Sequence, residues 1–313
     1  MRLAVSLLSA LVVAVAGCGS EESASKPQAC APGASVSCTG PGSCSGFQIC
    51  KPDGSGYTPC DCSGSGGAGG SSGSAGSGGA STVCPSGLKG PALVELKSPA
   101  GVHYCMDATE VTFAQYGEFL ATKPDGAKVE GSCQYVIFDY DDPVHPNCIQ
   151  GLDKVADAPA RCVSWCAARE YCKWAGKRLC GRIGGGPIST KAGEDDDANL
   201  SQWYNACSAG GLRDFPYGAS YVGGACNGAD FGKGAPLSAG SATACEGGYP
   251  SLRDMSGNVW EWEDSCSAAT GASDLCRIRG GSFSQSGPTL GCSADSSLAR
   301  GDSGKSVGFR CCE

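Results

Sequence analysis

Histidine is nearly missing from this chain, whose 313 residues hold only His103 and His145. Two histidines cannot build a three-histidine metal site, and neither has a carboxylate at the spacing a two-histidine iron centre needs. Charge is also scarce. Charged residues make up 17%, the formal net charge is −8 and the pI is near 4.9. There is no basic run with interleaved aromatics, and an acidic chain repels a phosphate backbone, which argues against nucleic acid as a partner. Long apolar runs are absent too: Leu3 to Ala16 is too short to span a bilayer.

What the chain has in quantity is cysteine, 23 residues, and glycine, 50. Its N-terminus says where those cysteines reside. Arg2, the apolar run and then Val15-Ala16-Gly17-Cys18 form an export signal. Those last four residues resemble the lipobox of bacterial lipoproteins. The resemblance implies a signal peptide over residues 1–17, cleavage before Cys18, and acylation of the Cys18 thiol and new amino terminus. Such a protein is exported and lipid-anchored to a bacterial membrane, on its periplasmic or cell-surface side, with the membrane as a partner through lipidated Cys18. Without Cys18 the cysteines are even in number, in a compartment where disulfides persist. The alternative for Cys162, Cys166, Cys172 and Cys180 is zinc, but they contain no C-x2-C pair, so disulfides are the expectation.

Composition divides the chain. Residues 18–29 form a polar tether, and residues 30–62 a small module of six cysteines, too short for a sizeable core and dependent on disulfides for order. Residues 63–82 are a Gly/Ser linker with an r.m.s. span of ~25 Å. Residues 83–313 hold sixteen cysteines, enough for this unit to close within itself. Two helices are signalled there. Thr112-x-x-Gln115 reads as a capping box ahead of Tyr116, Phe119 and Leu120, with Lys123-Pro124 as the stop. Ser164 precedes a stripe of Trp165, Ala168, Cys172 and Ala175, closed by Gly176. Strands are expected at Leu93 to Leu96, Val259 to Glu263, Arg277 to Phe283 and Val307 to Cys311. So much glycine favours an α+β fold low in regular structure and rich in disulfides.

The run Asp254 to Cys266, DMSGNVWEWEDSC, is the densest in chemistry. On a strand, Val259 and Glu261 share one face, and Trp260 and Trp262 the other. A buried Glu261 requires an arginine, donated hydrogen bonds or a cation.

Six segments, EVTFAQYGEF (110–119), VSWCAAREYCKWAGKRL (163–179), DFPYG (214–218), DMSGNVWEW (254–262), RGGSF (279–283) and GFRCC (308–312), follow one another in an order that resembles the sulfatase-modifying-factor, or formylglycine-generating-enzyme, domain family. The resemblance covers nearly all of residues 83–313. It implies a C-type-lectin-like fold. It also implies a structural calcium, bound through side-chain oxygens of Asp254 and Glu261 and backbone carbonyls of Gly257 and Val259, a hard-oxygen set that suits this ion. Against it stands a plain turn, with Glu261 bonded to backbone or arginine.

The family's oxidases convert a sulfatase cysteine to formylglycine with copper(I) on two thiolates. Here those positions are Gln285 and Leu290, which cannot supply thiolates, so copper is not expected. Cys292, two residues late, is expected in a disulfide. The sequence thus favours a non-catalytic binding or structural module with a protein or glycan ligand over a formylglycine-generating-type oxidase acting on a sulfatase cysteine or related substrate. Glu194 to Asp197 reads as a solvated acidic loop, and Cys311 and Cys312, facing opposite ways on a strand, as partners of different cysteines.

Overall fold

The computed structural model describes residues 35–39, 45–49, 51, 55–59, 84–129, 131–138, 148, 152–191 and 193–313. The chain separates into two units, Met1–Ala75 and Gly76–Glu313. Cys18, the signal and tether segments, the Gly/Ser linker, most of the six-cysteine module and His145 lie outside the described residues. In the first unit an antiparallel hairpin joins β1 (Ser35–Thr39) to β2 (Ser45–Ile49). No helix among the described residues is long and apolar enough to cross a membrane.

The second unit starts its first helix where the capping box predicts. The Thr112 hydroxyl accepts from Gln115 N at 3.3 Å while Gln115 Oε1 accepts from Thr112 N at 2.9 Å, and α1 runs Phe113–Ala121. It buries Phe113, Tyr116 and Phe119. The second helix, α2 (Trp165–Trp174), is capped by Ser164 on Ala167 N, and Gly176 takes φ +78° beyond its end. The two helices meet through aromatic rings, Tyr116 stacking on Tyr171 at 5.7 Å and Phe119 meeting it edge-on at 5.9 Å. Such pairs add ~0.5–1.5 kcal/mol to the burial of the rings themselves. A further helix among the described residues, α3 (Gln202–Ser208), is signalled by no long apolar stripe.

Among the described residues two four-stranded sheets complete the unit. One has the order β3 (Leu93–Lys97), β4 (His103–Asp107), β10 (Cys311–Cys312), β5 (Arg178–Leu179). The other has the order β8 (Asp295–Ala299), β7 (Leu275–Arg279), β6 (Trp260–Cys266), β9 (Val307–Phe309), with only β9 parallel to its neighbour. The strand expected over Val307 to Cys311 is therefore two strands in two sheets, and Arg310 is the crossover residue between them. The strand expected to reach Phe283 stops at Arg279, because Gly280 and Gly281 take φ +85° and +76°, which turns the chain out of the ladder.

All sixteen cysteines of this unit are paired, as Cys84–Cys105, Cys133–Cys166, Cys148–Cys162, Cys172–Cys311, Cys180–Cys312, Cys207–Cys292, Cys226–Cys245 and Cys266–Cys276. Cys311 and Cys312 have different partners, and the cluster weighed for zinc is distributed among four disulfides. The acidic run departs from expectation. Asp195 is buried against β7, with Oδ2 3.2 Å from Arg277 Nη2, while Asp196 lies 3.1 Å from Arg279 Nη2. The arginines of β7 need anions once buried, and this loop supplies them.

Candidate functional site

Strand β6 is covered on both faces. Trp262 is fully buried and its indole N–H donates to Val163 O at 2.8 Å, while Val259 and Glu261 are buried on the side of the preceding loop. That loop is tightly curled, with Asp254, Gly257 and Asn258 all left-handed at φ +57°, +73° and +56°. Gly257 is required there twice over. A Cβ would lie 2.6 Å from Asn227 O, and its φ suits no other residue as well.

Glu261 has the partners its burial demands. Arg310 Nε and Nη2 donate to its two carboxylate oxygens, each at 2.7 Å, and Trp203 Nε1 donates at 2.9 Å. The same guanidinium donates to Asp107 O on β4 at 3.0 Å and Arg253 O at 2.9 Å, so a single side chain ties both sheets to the loop. Asp254 accepts from Gly240 N at 2.5 Å.

Glu110 is the member that sequence reading missed. It sits before α1, buried, with Oε1 accepting from Asn258 Nδ2 at 2.9 Å. Its Oε2 has no partner as a carboxylate oxygen. Burial, then the charges of Asp254 and Glu261, raise its pKa well above the usual range, so it holds a proton that it can donate to Asp254. Burial likewise lifts Asp254 to about 6. Three carboxyl groups thus face one guanidinium. No spacing pattern joins position 110 to position 254, and only the fold brings them together.

This donor set suits a hard divalent cation in kind: it is made of oxygens, with three carboxyl groups to one guanidinium. Among the described residues no three His, Cys, Asp or Glu side chains form a ready cage, so a calcium here depends on the Gly257 and Val259 carbonyls as well. The thiolate positions do not suit copper. Gln285 Oε1 accepts from Ser282 N at 3.0 Å and from Ser282 Oγ at 2.5 Å, bracing its own turn. Leu290 is buried, packed so closely that a Cβ on Gly228 would lie 2.4 Å from it. Cys292 is bonded to Cys207.

Residues 98–313 match the family model of the sulfatase-modifying factor enzyme 1-like domain. The chain belongs to this family. Its α+β, C-type-lectin-like fold, with few helices, two sheets in the second unit and many disulfides, is that of the family. Solved structures similar to it include PvdO from Pseudomonas aeruginosa, with 17% identity, covering 71% of this chain and 91% of that one at a TM-score of 0.44. CarF has 18% identity, with 72% and 96% covered at 0.43. Treponema denticola variable protein 1 has 18% identity, with 72% and 94% covered at 0.40. A comparison with curated proteins gives no match.

Proposed function

We propose that this sulfatase-modifying factor-like domain is a non-catalytic module that holds a protein or glycan ligand, displayed by an exported protein anchored through lipidated Cys18. One observation carries the reading: the thiolate pair on which the family's copper chemistry depends is replaced by Gln285 and Leu290, and every cysteine from Cys84 onward is in a disulfide. A disulfide sulfur is not a thiolate ligand. The test is a thiol titration of the folded protein together with copper(I) binding and oxygen-dependent loss of a peptide cysteine. No free thiol in this unit and no turnover is the expected result. Turnover above buffer establishes the alternative, a formylglycine-generating-type oxidase, which family membership favours.

The loop from Asp254 to Glu261 is proposed to bind a structural calcium, supported by the three carboxyl groups, Glu110, Asp254 and Glu261, that face the one guanidinium of Arg310. Excess chelator then lowers the melting temperature, since a ligand of the native state stabilises it by mass action. An unchanged melting temperature removes calcium from the account. Cys18→Ser abolishes acyl labelling if the anchor is as proposed, and persistent labelling refutes it.

A further inference from the structure

Three of the eight disulfides join into a short covalent route through the second unit. Cys84 is bonded to Cys105, Cys133 to Cys166, and Cys172 to Cys311 on the C-terminal strand β10. Between these crossings the chain contributes about 28 residues from Cys105 to Cys133 and about six from Cys166 to Cys172. Fully stretched at ~3.5 Å per residue, that route measures roughly 130 Å, against roughly 800 Å for the same unit without cross-links. Helix α3 and strands β6 to β9 hang off the route as closed loops.

The first crossing has a particular place in the topology. Strand β3 lies within the loop that Cys84–Cys105 closes, and among the described residues it is an edge strand, paired only with β4. An edge hairpin strand pulled from its free end unzips one ladder bond at a time. Cys105, by contrast, sits on an inner strand. Its N–H donates to Glu313 O and its carbonyl accepts from Glu313 N, both at 2.8 Å, and the neighbouring Met106 is paired with Cys312. Cys312 is itself bonded to Cys180, the residue after β5.

We infer that Cys84–Cys105 is a tension strap: a pull arriving from the residues before Cys84 enters the sheet at β4 and bypasses β3, and the remaining crossings carry it on to the C-terminal strand. The device requires only covalent connectivity and strand order, and it stands or falls independently of the catalytic question.

The test is single-molecule extension of the oxidised full chain, held by handles at its two ends. The variant Cys84→Ser/Cys105→Ser is expected to stretch about 70 Å further than the parent, the length of the released loop at ~3.5 Å per residue less the span of the lost bridge, and to begin yielding at a lower force. Equal lengths, or an unchanged first yield force, overturn the inference. A second measurement covers a variant that fails to fold. The parent is held at constant force and a dithiol reductant is added, whose thiolate attacks a disulfide sulfur and is itself oxidised as the protein bond is reduced. Two lengthenings of about 70 Å are expected, one as Cys84–Cys105 opens and one as Cys133–Cys166 opens and the route diverts through Cys148–Cys162. Fewer than two, with other steps present, refute the strap.

Discussion

Arg310→Met removes the guanidinium that faces Glu261, Asp254 and Glu110 and leaves Glu261, 1% exposed, with Trp203 as its remaining donor. Losing one member of a buried, hydrogen-bonded ion pair costs about 3–5 kcal/mol, because the survivor stays buried and charged. For a domain of this size each kcal/mol lowers the melting temperature by about 2–4 °C, so a fall of roughly 6–20 °C is expected. Part of that loss has a separate origin, since Arg310 also bonds the Asp107 and Arg253 carbonyls. A double-mutant cycle divides the two. Glu261→Gln alone is destabilising, and Arg310→Met/Glu261→Gln should be less so than the sum of the single changes by at least ~2 kcal/mol. Urea unfolding of the oxidised protein, followed by the fluorescence of the buried Trp203 and Trp262, measures all four corners. A single-mutant loss under ~1 kcal/mol, or strict additivity in the cycle, refutes the argument that this pair joins the two sheets.

Other outcomes follow from the same geometry. Gly257→Ala places a methyl group 2.6 Å from Asn227 O at φ +73° and should cost more than the ~1 kcal/mol of a strained backbone alone, read from the urea midpoint; a neutral effect would mean the loop is looser than described. Thr112→Ala removes the side-chain half of the capping box and should lower stability by about 1 kcal/mol, measurable by the same titration. Burial raises Asp264 to about 6, so the folded state binds its proton more tightly than the unfolded chain does, and the Asp264 contribution to stability falls as pH rises from about 4 through about 6. Melting curves of Asp264→Asn across that range should lack this part of the decline.

The helices were legible because each carries its signal locally. Thr112 and Gln115 are three residues apart, and the stripes Tyr116–Phe119 and Trp165–Ala168–Cys172–Ala175 repeat at helical spacing, so α1 and α2 fall where expected. The even cysteine count and the opposite facing of Cys311 and Cys312 likewise foretold closure, but not which cysteine meets which. Helix α3 has a good cap in Ser201 but only seven residues, too few for periodicity to register. At the candidate site, the demand of Glu261 for a partner was visible in the alternation of its strand. That the partner is Arg310, and that Glu110 joins it, depends on a chain crossing between sheets that no local pattern encodes. The acidic run was misread for the same reason: its arginines are some 80 residues away in sequence.

Strand β10 lies between β4 and β5, so an inner place in that sheet is filled by residues synthesised some 200 positions after β4. Until those residues arrive the sheet is split, β4 and β5 lack a common neighbour, and Cys172 and Cys180 wait unpartnered. Early on, such thiols can only bond wrongly, which makes slow, late closure and a dependence on disulfide shuffling the kinetic signature of this topology.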